Sequence, residues 1–264
     1  AAVSNAGGLG TVSAMLRSLD DTKRQLEIVK NTTSRPFAVN FVAAAVDEET
    51  FSAGIAVRPK LISMAIADPG EFPKRAHDEG ALFMHQVTTV AQALEAAERN
   101  VDIIIAQGAE AGGYAGEIST FPLLPQVVTA VKPIPVVAAG GIFDGRGIAA
   151  ALMLGAVGVN LGTRFLASEE SPVTQSYREV IIEASSIDAV KIQNIMEDPP
   201  PGLREHYEVT LRGIRKPFAN ELGQEMDYVT AGQSAGGIAE ILPAAEILRQ
   251  LAEGAVAALA QSIL

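Results

Sequence analysis

Residues 101–117 read Val-Asp-Ile-Ile-Ile-Ala-Gln-Gly-Ala-Glu-Ala-Gly-Gly-Tyr-Ala-Gly-Glu, and this stretch decides the fold class. The apolar run 101–106 predicts a buried parallel strand, and residues 121–131 predict the helix that follows it. The loop between them, 107–117, is rich in glycine and alanine. A backbone with so few side chains can wrap closely around a flat or phosphorylated ligand.

Two similar loops follow the next two strands. Residues 138–147 read Ala-Ala-Gly-Gly-Ile-Phe-Asp-Gly-Arg-Gly, and residues 161–164 read Leu-Gly-Thr-Arg. In a barrel, consecutive parallel strands bring the loops at their carboxyl ends to one face. Three loops of small residues in this order therefore predict a site for a phosphate-bearing cofactor at that face.

Strand patterns alternate with helix patterns along most of the chain. The predicted strands are 9–13, 37–43, 61–67, 82–87, 101–106, 134–139 and 157–161. The predicted helices are 19–31, 48–56, 72–79, 90–99, 121–131, 145–154 and 172–184. The strands are continuous apolar runs, which indicates a parallel sheet covered on both faces. We expect an α/β fold of the (β/α)8 TIM barrel type, with a doubly wound open sheet as the alternative.

The two ends of the sequence depart from this rhythm. Residues 1–6 predict the end of a helix that Gly7 and Gly8 stop, and no strand precedes it. We therefore expect a barrel whose first strand is missing from this sequence. The predicted organisation is a barrel over 1–184, an irregular insertion or small subdomain over 185–230, and a loop and helix over 231–264 that pack on the barrel.

Composition excludes several classes of function. The 264 residues match the size of one α/β barrel, and the absence of cysteine excludes disulfides and thiolate chemistry. Only three histidines are present, so we expect no metal centre. The net charge of −11 argues against nucleic-acid and anionic-membrane partners. We expect a cytoplasmic protein that acts on a small molecule.

The motifs described above resemble those of the nitronate monooxygenase family, formerly called 2-nitropropane dioxygenases. The same superfamily includes FMN-dependent enoyl-acyl-carrier-protein reductases and an NADH:quinone reductase. The resemblance covers nearly the whole chain, and the segments that carry it, in order, are 1–10, 37–40, 108–116, 138–147, 160–165 and 231–236. It implies a barrel that binds FMN noncovalently at the carboxyl ends of its strands. Relatives begin with a strand that lines the flavin, so its absence would leave an open seam.

The resemblance implies a phosphate site made of two loops. It assigns Gly140 and Gly141 to the loop after the seventh strand of the family, and Gly162 and Thr163 to the loop after the eighth. Backbone N–H groups and one hydroxyl would surround the dianion there, with helix N-termini adding favourable potential. The alternative is that these glycines only allow tight turns between strands and helices.

The resemblance also implies residues around the flavin ring, namely Asn40, Gln86, Gln107, Gly108, Gly113 and Ser234. An Asn amide at the end of a strand could both donate to and accept from the edge of the ring, although it could also be a simple turn residue. Relatives carry a polar or basic group in place of Gln86. A neutral Gln there would stabilise reduced anionic flavin less than a cation would.

Tyr114 is the main departure from the family pattern, because many members have His in this place as the proposed base. A phenol with an ordinary pKa near 10 is a poor base at neutral pH, but it can donate a hydrogen bond to a nitro, nitronate or carbonyl oxygen. We assign Tyr114 as the catalytic residue, with an aromatic lid residue as the alternative. A nitronate is already deprotonated, so its oxidation needs no base.

Other polar residues receive simpler interpretations. His85 is adjacent to Gln86 on one strand, so the two side chains point to opposite faces, and a packed histidine is favoured. The surface is the expected location of His77, His206 and Arg146. The carboxylates of Glu110 and Glu117 could serve as bases but are expected to be solvated.

The leading hypothesis is FMN-dependent oxidation of alkyl nitronates by O2 to a carbonyl compound and nitrite. A reductase of enoyl thioesters or quinones that uses NAD(P)H is the second hypothesis. A noncatalytic flavin-binding barrel is the third, because of Tyr114 and the missing strand. A homodimer is possible, since the predicted helices of this apolar-rich chain would lie on the outside.

Overall fold

The computed structural model describes residues 1–14, 17–114, 116–192, 211–220 and 222–261. The parallel strands are β1 Gly10–Ser13, β2 Phe37–Val42, β3 Leu61–Ala65, β4 Leu82–Val87, β5 Ile103–Gln107, β7 Val136–Ala139 and β8 Gly158–Asn160. The remaining strands are β6 Gly113–Tyr114, β9 Ala189–Ile192, β10 Leu211–Ile214, β11 Phe218–Ala219 and β12 Glu225–Met226. The helices are α1 Ala2–Asn5, α2 Leu19–Thr32, α3 Glu48–Ala56, α4 Phe72–Asp78, α5 Val90–Glu98, α6 Thr120–Ala130, α7 Gly145–Met153, α8 Thr163–Leu166, α9 Gln175–Glu183 and α10 Ala244–Gln261.

The seven parallel strands form one sheet in the order β1-β2-β3-β4-β5-β7-β8. Each strand pairs with the next parallel strand along the chain, and no strand is inserted out of sequence. The sheet curls and carries its helices as a TIM barrel does, which confirms the predicted α/β fold class. Within the described residues β1 and β8 are the edge strands, so the sheet is open between them.

The two faces of the sheet bury different side chains. One cluster contains Ala38, Leu61, Met84, Ile105 and Ala139, one residue from each of five neighbouring strands, and it fills the inside of the curled sheet. The residues that alternate with them pack against the helices in a larger cluster that includes Val39, Ile62, Phe83, Ile104 and Ala138. This period-two alternation assigns every strand residue to one face.

The inner face becomes polar at the carboxyl ends of the strands. Ser13, Asn40 and Ser63 lie side by side in the register of β1, β2 and β3. Gln86 and Gln107 extend this polar layer on β4 and β5, because each lies two residues beyond an inward residue. Asn40, Gln86 and Gln107, the predicted polar residues on strands, therefore share the inner face at one end of the sheet.

Local capping explains why several helices begin where the sequence predicts. The side chains of Ser18, Asp47 and Thr89 each accept a hydrogen bond from the backbone N–H three residues later. Such caps satisfy N–H groups that the first turn of a helix leaves unpaired. The bounds of the capped helix α3 agree with the prediction at both ends, and so do the bounds of strand β4.

The described part of residues 185–230 contains regular secondary structure. Antiparallel pairing joins β10 to β9 on one side and to β6 on the other. In this pairing Leu211 lies opposite Tyr114, so the region forms a small sheet with the first glycine-rich loop. A separate core beneath it includes Ile181, Ile214 and Val229.

The final helix packs against the outer layer of the barrel. Helix α10 crosses the start of α7 so closely that a Cβ placed on Gly145 would overlap the backbone of Gly254 and Ala255. Contacts with α1 hold the same helix near the beginning of the chain. Among the described residues no helix is long and apolar enough to cross a membrane.

Candidate functional site

A cavity of about 240 Å³ lies where the three loops of small residues, 107–117, 138–147 and 161–164, meet. Six of the predicted site residues line it together, namely Gln107, Gly140, Gly141, Gly162, Thr163 and Ser234. The loops after β5, β7 and β8 therefore converge on one face, as the order of the strands requires. The prediction missed other lining residues, including Ala111, Gly112, Asn160 and Thr230.

The wall of this cavity presents backbone donors. Gly140 has φ = 103° and Gly141 has φ = 73°, a left-handed conformation that favours glycine. The N–H groups of Gly140, Gly141 and Gly162 donate no hydrogen bond to the described part of the chain. At Gly162 an added Cβ would meet no atom within 4 Å, so the chain leaves open space there. This arrangement can receive an anion.

The N-termini of the two longer helices near the cavity already have carboxylate caps. Glu110 accepts hydrogen bonds from the N–H and the hydroxyl of Thr120, each at 2.9 Å through Oε2, at the start of α6. Asp144 accepts from Gly147 N–H at 3.0 Å at the start of α7. The expectation of a solvated Glu110 was therefore wrong, and these carboxylates offset much of the positive potential of α6 and α7.

A clamp holds the first glycine-rich loop against residues 230–234. The N–H of Gly232 donates to Thr163 Oγ1 at 2.9 Å, and the N–H of Gln233 donates to the carbonyl of Glu110 at 2.8 Å. A Cβ on Gly112 would lie 2.6 Å from the backbone of Ala231, so only glycine fits. The clamp fixes Thr163 and buries Ser234 beside the cavity.

A second cavity, of about 180 Å³, lies at the ends of β3 and β4. Gln86 and Tyr114 line it, together with His85, Asp68 and Glu95 among others. The side-chain amide of Gln107 donates to the backbone carbonyl of Tyr114. Because Gln107 also lines the first cavity, this hydrogen bond connects the walls of the two cavities.

His85 points away from the inner face of β4, as predicted, and is 4% exposed. Desolvation by burial lowers its pKa to about 4, while the charge of Asp68 opposes this effect. The ring is therefore neutral near pH 7. The prediction of a packed histidine was right about burial, but it did not foresee that the ring would also line a cavity.

The other predicted ring residues lie around these cavities. Asn40 is half-buried on the inner face of β2. Gly113 has φ = 78° in β6, directly before Tyr114. Gly108 lies against Thr120 and Glu110, where an added Cβ would come 2.5 Å from Glu110 Oε2. Glycine at position 108 thus allows the loop to approach α6.

Sequence reasoning missed Arg212, a buried arginine on β10. Arg212 Nε donates to the carbonyl of Ala109 and Nη1 donates to the carbonyl of Ala189, each at 2.6 Å. These bonds tie the first glycine-rich loop to β9. Nothing in the sequence around residue 212 signals this role, since one partner lies 103 residues away.

The remaining candidates are engaged away from the cavities. His77 Nε2 lies 2.7 Å from Asp102 Oδ2, and Arg146 pairs with Asp144 at the surface, as expected. Glu117 pairs with Lys191, and its side chain is 75% exposed, as expected of a solvated carboxylate. His206 lies outside the described residues. Among those described, no group of three or more His, Asp or Glu side chains could hold a metal ion.

Comparisons with known proteins agree with this geometry. The family model described as nitronate monooxygenase matches residues 1–53 and 46–206. A probable nitronate monooxygenase of Staphylococcus saprophyticus is 31% identical over 299 residues, covering 89% of this chain and 84% of the relative. The structure of FabK from Thermotoga maritima superposes with a TM-score of 0.87 at 30% identity, covering 98% of this chain and 88% of that one.

A further relative carries a different name. A Mycobacterium tuberculosis protein called (3aS,4S,5R,7aS)-5-hydroxy-7a-methyl-1-oxo-octahydro-1H-indene-4-carboxyl-CoA dehydrogenase is 38% identical over 186 residues. The match covers 69% of this chain and 52% of the relative. A dehydrogenase of the same name from Rhodococcus jostii matches over 50% of its length, so the chain spans about half of each of these two relatives.

Proposed function

Because the chain belongs to the nitronate monooxygenase family, a family of oxidoreductases, we propose that it is an FMN-dependent enzyme that oxidises anionic alkyl nitronates. O2 would be the second substrate, and a carbonyl compound and nitrite the products. The observation that carries the proposal is the cavity in which backbone donors of two loops surround open space.

The residues present fit the phosphate of FMN. The N–H groups of Gly140, Gly141 and Gly162, which donate to no described residue, could each donate to a phosphate oxygen, and charge-assisted bonds of this kind are stronger than neutral ones. The open space at Gly162 gives the phosphate room. When bound, the flavin supplies the redox chemistry, and the protein supplies binding, orientation and electrostatics.

The polar inner face would orient the flavin ring and the substrate. Asn40, Gln86 and Gln107 offer amide groups that can donate to or accept from the polar edge of the ring. Tyr114 can donate its phenolic hydrogen to a nitronate oxygen, which would hold the anion in place. No side chain in this arrangement needs to remove a proton from carbon, because a nitronate has already lost it.

Oxidoreduction of a thioester substrate is the second candidate function. The observation that favours it is the 38% identity to a relative whose name specifies a carboxyl-CoA substrate. The hydroxyl of Tyr114 could donate to a thioester carbonyl as readily as to a nitronate oxygen. In this case NAD(P)H or another electron partner would replace O2 as the co-substrate.

An absorption spectrum tests the proposed function. The purified protein supplied with FMN should show bound-flavin bands, and adding an alkyl nitronate without O2 should bleach them. Bleaching by NAD(P)H but not by nitronate would favour the thioester candidate. Bound flavin that no donor bleaches would instead indicate a noncatalytic flavin-binding barrel.

Replacing Tyr114 with histidine should raise turnover of neutral nitroalkanes relative to nitronates by at least about tenfold, because a positioned base contributes about 10²–10⁴-fold to proton abstraction. Steady-state rates with nitroethane and with its nitronate measure this ratio. The control Tyr114→Phe should lower nitronate turnover by about fivefold, the effect of losing one hydrogen bond. Unchanged rates in both variants would exclude contact between Tyr114 and the substrate.

Replacing Gly162 with alanine should weaken FMN binding by about 10- to 100-fold, because the methyl group enters the space of the phosphate and disturbs charge-assisted hydrogen bonds. The FMN-free protein should unfold as before, since the new Cβ meets no atom within 4 Å. A fluorescence titration gives the affinity. Gly158→Ala is the matched control, because its Cβ is also unobstructed and residue 158 does not line the cavity. Equal FMN affinity in the two variants would contradict the phosphate site.

A further inference from the structure

A third cavity, of about 620 Å³, lies between the start of α2, the start of α9 and the hairpin of β11 and β12. Residues from 17–25, 172–177 and 218–222 line it, and none of the predicted site residues is among them. Its volume falls within the range of about 300–1,000 Å³ that is typical of ligand pockets. This cavity is therefore a candidate binding site that the proposed function has not used.

Two arginines in the third cavity share a single carboxylate. Arg17 Nη1 lies 2.5 Å from Asp21 Oδ2, and Arg24 pairs with Asp21 Oδ1. These are the charged side chains among the described residues that line the cavity, so two positive charges and one negative charge leave a net charge of +1. The whole chain, in contrast, has a net charge of −11. The local excess of positive charge favours an anionic ligand.

The arrangement of these arginines suits a phosphate group. Arg17 Nε also donates to the carbonyl of Ser13 at 3.0 Å, so two partners fix the plane of its guanidinium. A guanidinium has five N–H donors, and Asp21 engages one nitrogen of each arginine in the described structure, so donors remain for phosphate oxygens. The first turn of α9, which carries no acidic residue, adds the favourable potential of a helix N-terminus.

Apolar side chains form another part of the lining. The rings of Tyr177 and Phe218 pack edge to face, with their centroids 5.1 Å apart. Leu222, at the turn between β11 and β12, is 80% exposed. The side chain of Asn220 fixes this turn, because its Oδ1 accepts from the N–H of Leu222 at 2.9 Å. A planar nucleotide base can pack on such a lining, since every base has a π-face that stacks on aromatic rings.

Hydrogen bonds connect the third cavity to the cavity proposed for the FMN phosphate. The Tyr177 hydroxyl donates to the carbonyl of Thr230 at 3.0 Å, and Thr230 lines that first cavity. Burial raises the pKa of Tyr177 to about 12, so the hydroxyl keeps the proton that it donates. Arg17 is likewise joined to Ser13, which belongs to the polar layer on the inner face. A ligand held in the third cavity could therefore extend its reactive end toward the flavin.

We propose that the third cavity binds the phosphorylated adenosine portion of a substrate. Arg17 and Arg24 hold a phosphate group, and the rings of Tyr177 and Phe218 pack against the adenine base. Coenzyme A thioesters and NAD(P)H both carry this group, and both belong to the second candidate function. The identity of the ligand rests on that candidate of the proposed function, whereas the site itself is tested by binding alone.

Titration calorimetry on the full chain supplied with FMN tests this site. Desulfo-coenzyme A and NADP⁺ are the probes, since neither can reduce the flavin. At least one should bind at one site per chain, with an affinity that falls as salt is added. Arg24→Met should weaken this binding by about five- to tenfold, the loss of one exposed charge-assisted hydrogen bond. The control is Arg249→Met, because Arg249 is similarly exposed, pairs with Glu246 and Glu253, and does not line the cavity.

A second variant should act in the opposite direction. Asp21→Asn removes the carboxylate that competes with the ligand for both arginines, so binding should tighten by about three- to fivefold. Asp20→Asn is its control, since Asp20 also lies in the first turn of α2 but does not line the cavity. If the cluster were only structural, Asp21→Asn and Arg24→Met would change binding in the same direction. No binding by either probe, unchanged affinity in Arg24→Met, or no tightening in Asp21→Asn would overturn the proposal.

The two probes also identify the source of the adenosine group. Binding of desulfo-coenzyme A without binding of NADP⁺ would assign the site to a thioester, and the reverse result would assign it to a dinucleotide. Binding that depends on Arg24, without bleaching of the flavin by any donor, would retain the site and remove the proposed function. Bleaching by nitronate without binding of either probe would retain the proposed oxidation and remove the site.

Discussion

Replacing Arg212 with leucine should lower the free energy of unfolding by about 2–5 kcal/mol, because the carbonyls of Ala109 and Ala189 would lose a charged donor in a buried place. The first glycine-rich loop would also lose its connection to β9, so FMN affinity should fall together with stability. Urea denaturation and a flavin titration measure the two effects.

Arg146→Leu is the matched control for this substitution. Arg146 lies in the first turn of α7, which follows the second glycine-rich loop, but its side chain is 80% exposed and pairs with Asp144 at the surface. Exposed ion pairs contribute about 0–1 kcal/mol, so this variant should remain close to the wild type. If Arg212→Leu lowered the free energy of unfolding as little as Arg146→Leu, the two buried hydrogen bonds of Arg212 would not hold the loop in place.

Replacing Gly108 with alanine should lower the free energy of unfolding by at least about 3 kcal/mol, at the upper end of overpacking effects. The new Cβ would overlap both the hydroxyl and the backbone nitrogen of Thr120, and a backbone atom at the start of α6 cannot rotate away. The loop or the helix must shift, and Glu110 would then lose its place as the cap of α6.

Two further variants separate the causes of this loss. Thr120→Ala in the Gly108→Ala background removes the hydroxyl but leaves the backbone nitrogen, so it should restore only part of the stability. Gly162→Ala adds the same methyl group without a clash and should leave the unfolding midpoint of the FMN-free protein unchanged. Full rescue by Thr120→Ala would show that backbone overlap is not the cause.

The sequence predicted the elements whose ends are set by nearby residues. The side chain of Asp47 caps helix α3 by accepting a hydrogen bond from the N–H of Thr50. Both residues lie within a few positions of each other, so the sequence alone contains this signal. Strand β5 was predicted to start at residue 101 but starts at Ile103. Val101 is apolar, so the predicted strand was placed two residues too early. In the structure the carboxylate of Asp102 accepts a hydrogen bond from the backbone N–H of Phe83 on the neighbouring strand β4.

The sequence likewise predicted the parts of the candidate site that depend on strand order, but not those that depend on distant partners. Glycines after consecutive strands must meet at one face, so the convergence of Gly140 and Gly162 follows from their positions. The roles of Arg212 and Glu110 depend on partners that only the folded chain brings together. Likewise, alternation assigned His85 to the outer face, but the cavity there depends on the turn at Ile66 and on the position of Tyr114.

The close crossing of α7 and α10 has a consequence for protein synthesis. Helix α7 begins at Gly145, within the glycine-rich segment 138–147. Helix α10, which packs on Gly145, lies far later in the chain. A nascent chain that has emerged from the ribosome only as far as α9 therefore lacks the element that holds the start of α7. The second glycine-rich loop should gain its final rigidity only after α10 has been translated, so capture of the proposed FMN should be a late event in the maturation of this protein.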